Sequence, residues 1–418
     1  LFIIFSTTVK ILLKFKSHTS QLSKKDKFLF KAMKHLFRFA FFLALTCIIF
    51  SGQACNTSSN TDKKDPTDTT KKDSSIGEEP KIEIDRKYDD VARILAGMDV
   101  DTGSAFYAVT QSASWKAYKK SADAGWAAAD ARRFKAIRSW AETELADLNK
   151  MDGDLFYPFS GPDIYYSYQF FPSAKNYHLY AKEPAGKLNF LKSDDVKWES
   201  YCNNVAQTID DFIAGGFFHT NHMKVDMQAN GALPTMLVFL VRGGNKIVKV
   251  EPLEIKEDGS VKVSEKGDFS SVRVDFLDSK TKKLKSLFYH SCDLSDDGLR
   301  MRPALKKQVE SVASNRTFTK SASYLMHVPY FSQVRDLILA KSPAVFQDDT
   351  GIPFRYFTED KWTPTYYGKY NKPIPLFEVR IQKDLYDAYR KNTVKPLNFT
   401  LGYHSGSDND NMIVYKRK

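Results

Sequence analysis

Cysteine is scarce, with four in 418 residues, and no run of eighteen apolar residues occurs. The first scarcity excludes a small disulfide-stapled domain, and the second an ordinary membrane-spanning helix. Also missing are the G-x-G-x-x-G of dinucleotide folds, a glycine-rich phosphate loop and the H-E-x-x-H zinc helix. Acids are nearly absent at the N-terminus. Residues 1–54 hold nine Lys/Arg against Asp26 alone, so they carry +8 of the formal +12 and leave +4 for 55–418. No Lys/Arg-rich helix with interleaved aromatics remains, which argues against a nucleic-acid partner.

What is present begins with an apolar run, Phe39 to Phe50, behind Lys34 and Arg38. As a helix it would be about 18 Å long, too short for a bilayer core of about 30 Å. A basic start, an apolar centre and small residues before Cys55 form the layout of a secretory signal, with Met33 at its head. This divides the chain into an upstream leader (1–32), a signal peptide (33–54), a tether (55–83) and one globular domain (84–418). The tether follows from composition: residues 56–80 hold one apolar residue, Ile76, too little to bury.

"GQAC" at 52–55 resembles the lipobox of bacterial lipoproteins. That resemblance implies lipid attachment at Cys55, a membrane partner through the lipid, and, with Asn56 next, outer-membrane sorting. Gly52 stands where the family prefers an aliphatic residue and Gln53 where it prefers a smaller one, so ordinary signal-peptidase cleavage at the same bond stays open. Removal of Cys47 with the signal leaves Cys55, Cys202 and Cys292. Cys202 and Cys292 are predicted to face the core, either as a disulfide or as two buried thiols.

The domain reads as α/β: a mixed sheet with hairpins and a βαβ unit behind a helical N-terminal section, with α+β as the alternative. "DLFY", "IYYSYQFF" and "NYHLYAKEP" suggest strand, helix, strand. "TMLVFLVR" and "KIVKV", across "GGN", suggest a hairpin, and "SVRVDFLD" with "KLKSLFYHSC" a second. Helices are predicted near 198–213, 303–313, 330–342 and 381–389, and a strand at "AVFQDD".

Four constellations carry chemistry. "YPFSGPD" could cradle an anion, with Glu183 where dinucleotide folds place an acid, but one glycine is weak support and no cofactor is expected. His219 and His222, three apart, could share a metal with Asp226, His290, His327 or His404. Asp348 and Asp349 at a strand end offer paired carboxylates for acid–base work, with His327 as the histidine carried forward. Trp362, Tyr366, Tyr367 and Tyr370 could form a stacking platform for a glycan or peptide. "YPFSGPD", "GFFHTNHM", "KSASYLMH", "QDDTGIPFRYF" and "YGKYNKPIPLF" resemble a family of bacterial exported proteins with no assigned activity, and no catalytic residue carries over. The leading expectation is a ligand-binding envelope lipoprotein. The alternatives are an extracytoplasmic hydrolase and a structural partner in an outer-membrane complex.

Overall fold

The sheet grows outward from its most buried strand. Leu155–Pro158 (β1) is buried at every position, and parallel partners flank it on both sides. The computed structural model describes residues 84–188, 197–218, 231–267, 269–404 and 409–418. Its other strands are Asn176–Ala181 (β2), Lys246–Ile255 (β3), Val261–Val263 (β4), Ser271–Leu277 (β5), Leu284–Ser291 (β6), Arg316–Thr319 (β7), Ala344–Gln347 (β8), Trp362–Gly368 (β9), Val394–Lys395 (β10) and Asn411–Arg417 (β11). Among the described residues they form one mixed sheet, in the order β10-β9-β11-β8-β7-β1-β2-β6-β5-β3-β4. This is an α/β fold.

Five adjacent strands, β6-β2-β1-β7-β8, run parallel. From β1 the chain first builds outward through β2 and β6, then returns to the other side for β7 and β8. The order therefore reverses between β1 and β7, where open α/β sheets hold their ligands beyond the carboxyl ends of the strands. β5 runs antiparallel to β6, and β11 antiparallel to β8 and β9. β9 thus ends at the same edge as β8.

Each sheet face carries a core. One packs against helices Arg86–Leu95 (α1), Ala113–Ala129 (α2), Lys135–Glu144 (α3), Ile164–Phe170 (α4), Trp198–Gly215 (α5) and Leu233–Arg242 (α6). The other packs against Pro303–Val312 (α7), Ser332–Lys341 (α8) and Lys383–Lys391 (α9). Local chemistry sets several ends. Asp163 caps α4 by accepting from the Tyr166 N–H at 3.1 Å. Gly216, at φ +83°, closes α5, and the Arg133 guanidinium donates to the Phe212 and Ile213 carbonyls at 2.9 Å. The Phe212 carbonyl also accepts the capping Gly216 N–H at 2.9 Å, so the guanidinium adds donors to the end of the helix, where carbonyls run out of helical partners.

One expected strand is a helix. "TMLVFLVR" lies in α6, whose residues Leu233 through Val241 are all buried. A helix enclosed on every side has no polar stripe, so its sequence looks like that of a buried strand. Pro234 in its first turn was the available sign. The βαβ unit (β1, α4, β2) and the β5–β6 hairpin match expectation. Residues 79–418 form one compact unit, and it contains both cores, the condition for folding independently.

Candidate functional site

The carboxyl ends of β1, β2 and β7 enclose a cavity of about 280 Å³. Its wall includes Tyr157, Phe159, Phe331, Ser321, Ser323 and Tyr403. The β7 exit is strained. Ser321 (φ +51°), Ser323 (φ +53°) and Tyr324 (φ +55°) all occupy the left-handed region, which costs a non-glycine residue about 1–3 kcal/mol. Hydrogen bonds hold them there. The Ser321 N–H donates to Asp348 Oδ2 at 2.9 Å and the Ala322 N–H to Thr350 Oγ1 at 2.7 Å. The Ser323 and Tyr403 hydroxyls bond at 2.7 Å. Ser321 Oγ is buried and has no partner among the described residues. Gly402 (φ +69°) crosses close behind it, where an added Cβ would overlap that hydroxyl.

Lys320, in the cavity wall, forms a buried ion pair with Asp163 behind it at 2.9 Å. Burial raises the Asp163 pKa, and Lys320 opposes that rise. Lys320 also donates to the Gly216 carbonyl at 3.2 Å. Its charge is therefore already matched within the protein.

Asp348 and Asp349 follow β8, where the paired carboxylates were predicted. Asp348 accepts from Ser321 N, Thr350 N and Thr350 Oγ1. Burial, then the charge of Asp349, pushes its pKa up to about 6. Asp349 is enclosed more completely. One oxygen meets His404 Nε2 at 2.7 Å and Asn411 Nδ2 at 2.9 Å, and the other accepts from the Tyr324 hydroxyl. Burial pulls the His404 pKa down, but the Asp349 hydrogen bond and the charges of Asp349, Asp348 and Asp410 outweigh it, so the value ends raised. The other ring nitrogen, Nδ1, faces Asn409 Nδ2 at 3.3 Å. Both ring nitrogens are thus engaged, and neither carboxylate lines the cavity.

The histidine bonded to this pair is His404, which replaces the expected His327. His327 packs against the Tyr324 ring at 5.0 Å, and burial pushes its pKa down to about 4. The aromatic platform does not form. Trp362, Tyr366, Tyr367 and Tyr370 are 2–4% exposed. Alternation along the strand sends Tyr367 into one core and the other three into the opposite one. The Tyr367 hydroxyl donates to Glu144, and the Tyr370 hydroxyl accepts from the Gln382 N–H. Cys202 and Cys292 are free buried thiols, not a disulfide. They belong to cores on opposite sheet faces, and burial pushes both up to about 12. His219, His222, Asp226 and Cys55 lie outside the described residues. Among the described residues no group of three or more His, Cys, Asp and Glu is placed to hold a metal ion.

Sequence reasoning missed Lys320, Ser321 and Tyr324. The available signal was position, since "KSASY" directly follows the strand "RTFT". Comparison with family models, curated proteins and solved structures returns no match.

Proposed function

We propose that this chain is a cell-envelope lipoprotein, anchored through Cys55, whose folded domain binds a small neutral ligand in the cavity between β1 and β7. The supporting observation is the cavity's position at the switch point, with the unpaired Ser321 hydroxyl in its wall. Such crevices are where open α/β sheets bind ligands. A volume of about 280 Å³ sits at the lower end of ligand pockets and suits one sugar ring or a short peptide. The lining supports that class. Aromatic faces lie beside serine and tyrosine hydroxyls, and of the charged residues in the wall, Lys182, Glu183 and Lys320, the two lysines are matched by Asp293 and Asp163.

The test is calorimetric titration of residues 79–418 with N-acetylated amino sugars and with capped dipeptides. Leu325 lines the cavity, and Leu325→Trp fills it. Binding by the parent and its loss in the variant is the expected result. Absence of binding by any compound, or binding unchanged in the variant, counts against the reading. The hydrolytic alternative retains one supporting contact, His404 with Asp349. The same compounds, assayed for cleavage, decide it: full recovery of every one removes that alternative.

A further inference from the structure

We infer that the edge carrying the cavity is also a docking surface for an anionic lipid membrane, through a preformed apolar lip at Pro375–Arg380 and Ile381. The inference stands apart from the ligand reading. It starts from seven large apolar side chains exposed in the described chain, three of which sit within this short stretch: Leu376 (82%), Val379 (87%) and Ile381 (59%). Two more, Met301 and Tyr330, lie on segments that follow β6 and β7 at the same edge. A soluble surface gains nothing from gathering bare side chains in one place, and such a cluster marks an interaction site.

The lip is held in place by its alternate residues. Ile374 is buried. Phe377 turns inward, its ring 5.2 Å from Tyr324. Gln382 closes the segment: its N–H donates to the Tyr370 hydroxyl, its Nε2 to the Asp349 carbonyl, and its Oε1 accepts from the Phe354 N–H. Upstream, the Asn371 N–H donates to Asn409. With these positions fixed inward, Leu376 and Val379 must point out. The display is part of the fold and costs no ordering when a surface arrives.

Charge selects the partner. Over 369–384, Lys369, Lys372, Arg380 and Lys383 stand against Glu378 and Asp384, a local excess of two positive charges, and Arg355 joins Arg380 in the field felt by His327. Apolar side chains ringed by Lys and Arg suit a bilayer interface, where the chains enter the acyl boundary and the cations meet anionic headgroups. Phe377 also lies 6.3 Å from the ring of Tyr403, which lines the cavity, so docking would set the cavity-bearing edge against the bilayer.

The test uses residues 79–418, which lack the N-terminal apolar run, in co-sedimentation with phosphatidylcholine vesicles with and without about one third phosphatidylglycerol. The parent is expected to bind the anionic vesicles and release with added salt. Leu376→Ser with Val379→Ser is expected to bind about tenfold more weakly or less. Both side chains are exposed, so an unchanged circular-dichroism spectrum will confirm that the variant is folded. No binding to anionic vesicles, equal binding to neutral ones, or binding unaffected by the double substitution overturns the inference. So does a parent dimer that the double substitution dissociates, because a second copy would then be the lip's partner.

Discussion

Replacing Asp348 with asparagine should destabilise the domain by an amount that depends on pH. Burial, then the Asp349 charge, holds this carboxyl at about 6, against about 3.9 in an unfolded chain. The folded state therefore binds the proton more tightly. The resulting stability is fully present below the unfolded value and is lost as pH rises through about 6. At about 1.4 kcal/mol per pKa unit, the contribution falls by about 2 kcal/mol between about pH 4.5 and pH 7.5. Asparagine cannot titrate, so it loses this dependence. It also keeps only one acceptor oxygen where Asp348 uses two, toward Ser321 and Thr350, a loss of about 1–3 kcal/mol. Urea unfolding of parent and Asp348→Asn, followed by tryptophan fluorescence, should give that cost at about pH 4.5 and about 2 kcal/mol less at about pH 7.5, where the substitution also removes a buried charge that the fold disfavours. The raised pKa values of Asp410 and His404 also favour the fold at low pH; the Asp348 charge is the smaller part of each rise, and its removal weakens both in the same direction as the main effect. An equal cost at both pH values, or a larger one at the higher, would refute the assignment.

The thiols and the anchor give two further checks. In residues 79–418, Cys202 and Cys292 should resist an aromatic disulfide reagent at about pH 8 and react together on unfolding, because burial holds both thiols up at about 12. Rapid reaction of either in the folded domain would contradict its placement. In the full chain, Cys55→Ser should abolish lipid labelling and shift the protein from the membrane fraction toward the soluble one. Continued labelling would dismiss Cys55 as the attachment point.

The carboxylate pair was legible because "QDD" ends a buried strand of conventional composition, and strand ends at a sheet edge can be read locally. The histidine was not. His404 reaches Asp349 across fifty-five residues, and no spacing rule connects them. The aromatic platform failed for a related reason. Four rings close in sequence suggest one surface, but strand alternation sends neighbouring residues to opposite faces, and helices cover both. The α6 run misled because enclosure on every side erases the period that separates helix from strand.

By itself the sequence determined what local composition controls: the apolar run before Cys55, the low apolar content of 56–80, the βαβ unit, the hairpin and the α/β class. These depend on periodicity, caps and charge counts within about twenty residues. Only the tertiary structure decided where β7 and β8 lie relative to β1, and so where the switch-point cavity opens. It also decided which histidine meets Asp349, and that Leu376, Val379 and Ile381 face outward while their neighbours are clamped in. Those outcomes rest on contacts between distant segments, whose energies no local stretch encodes.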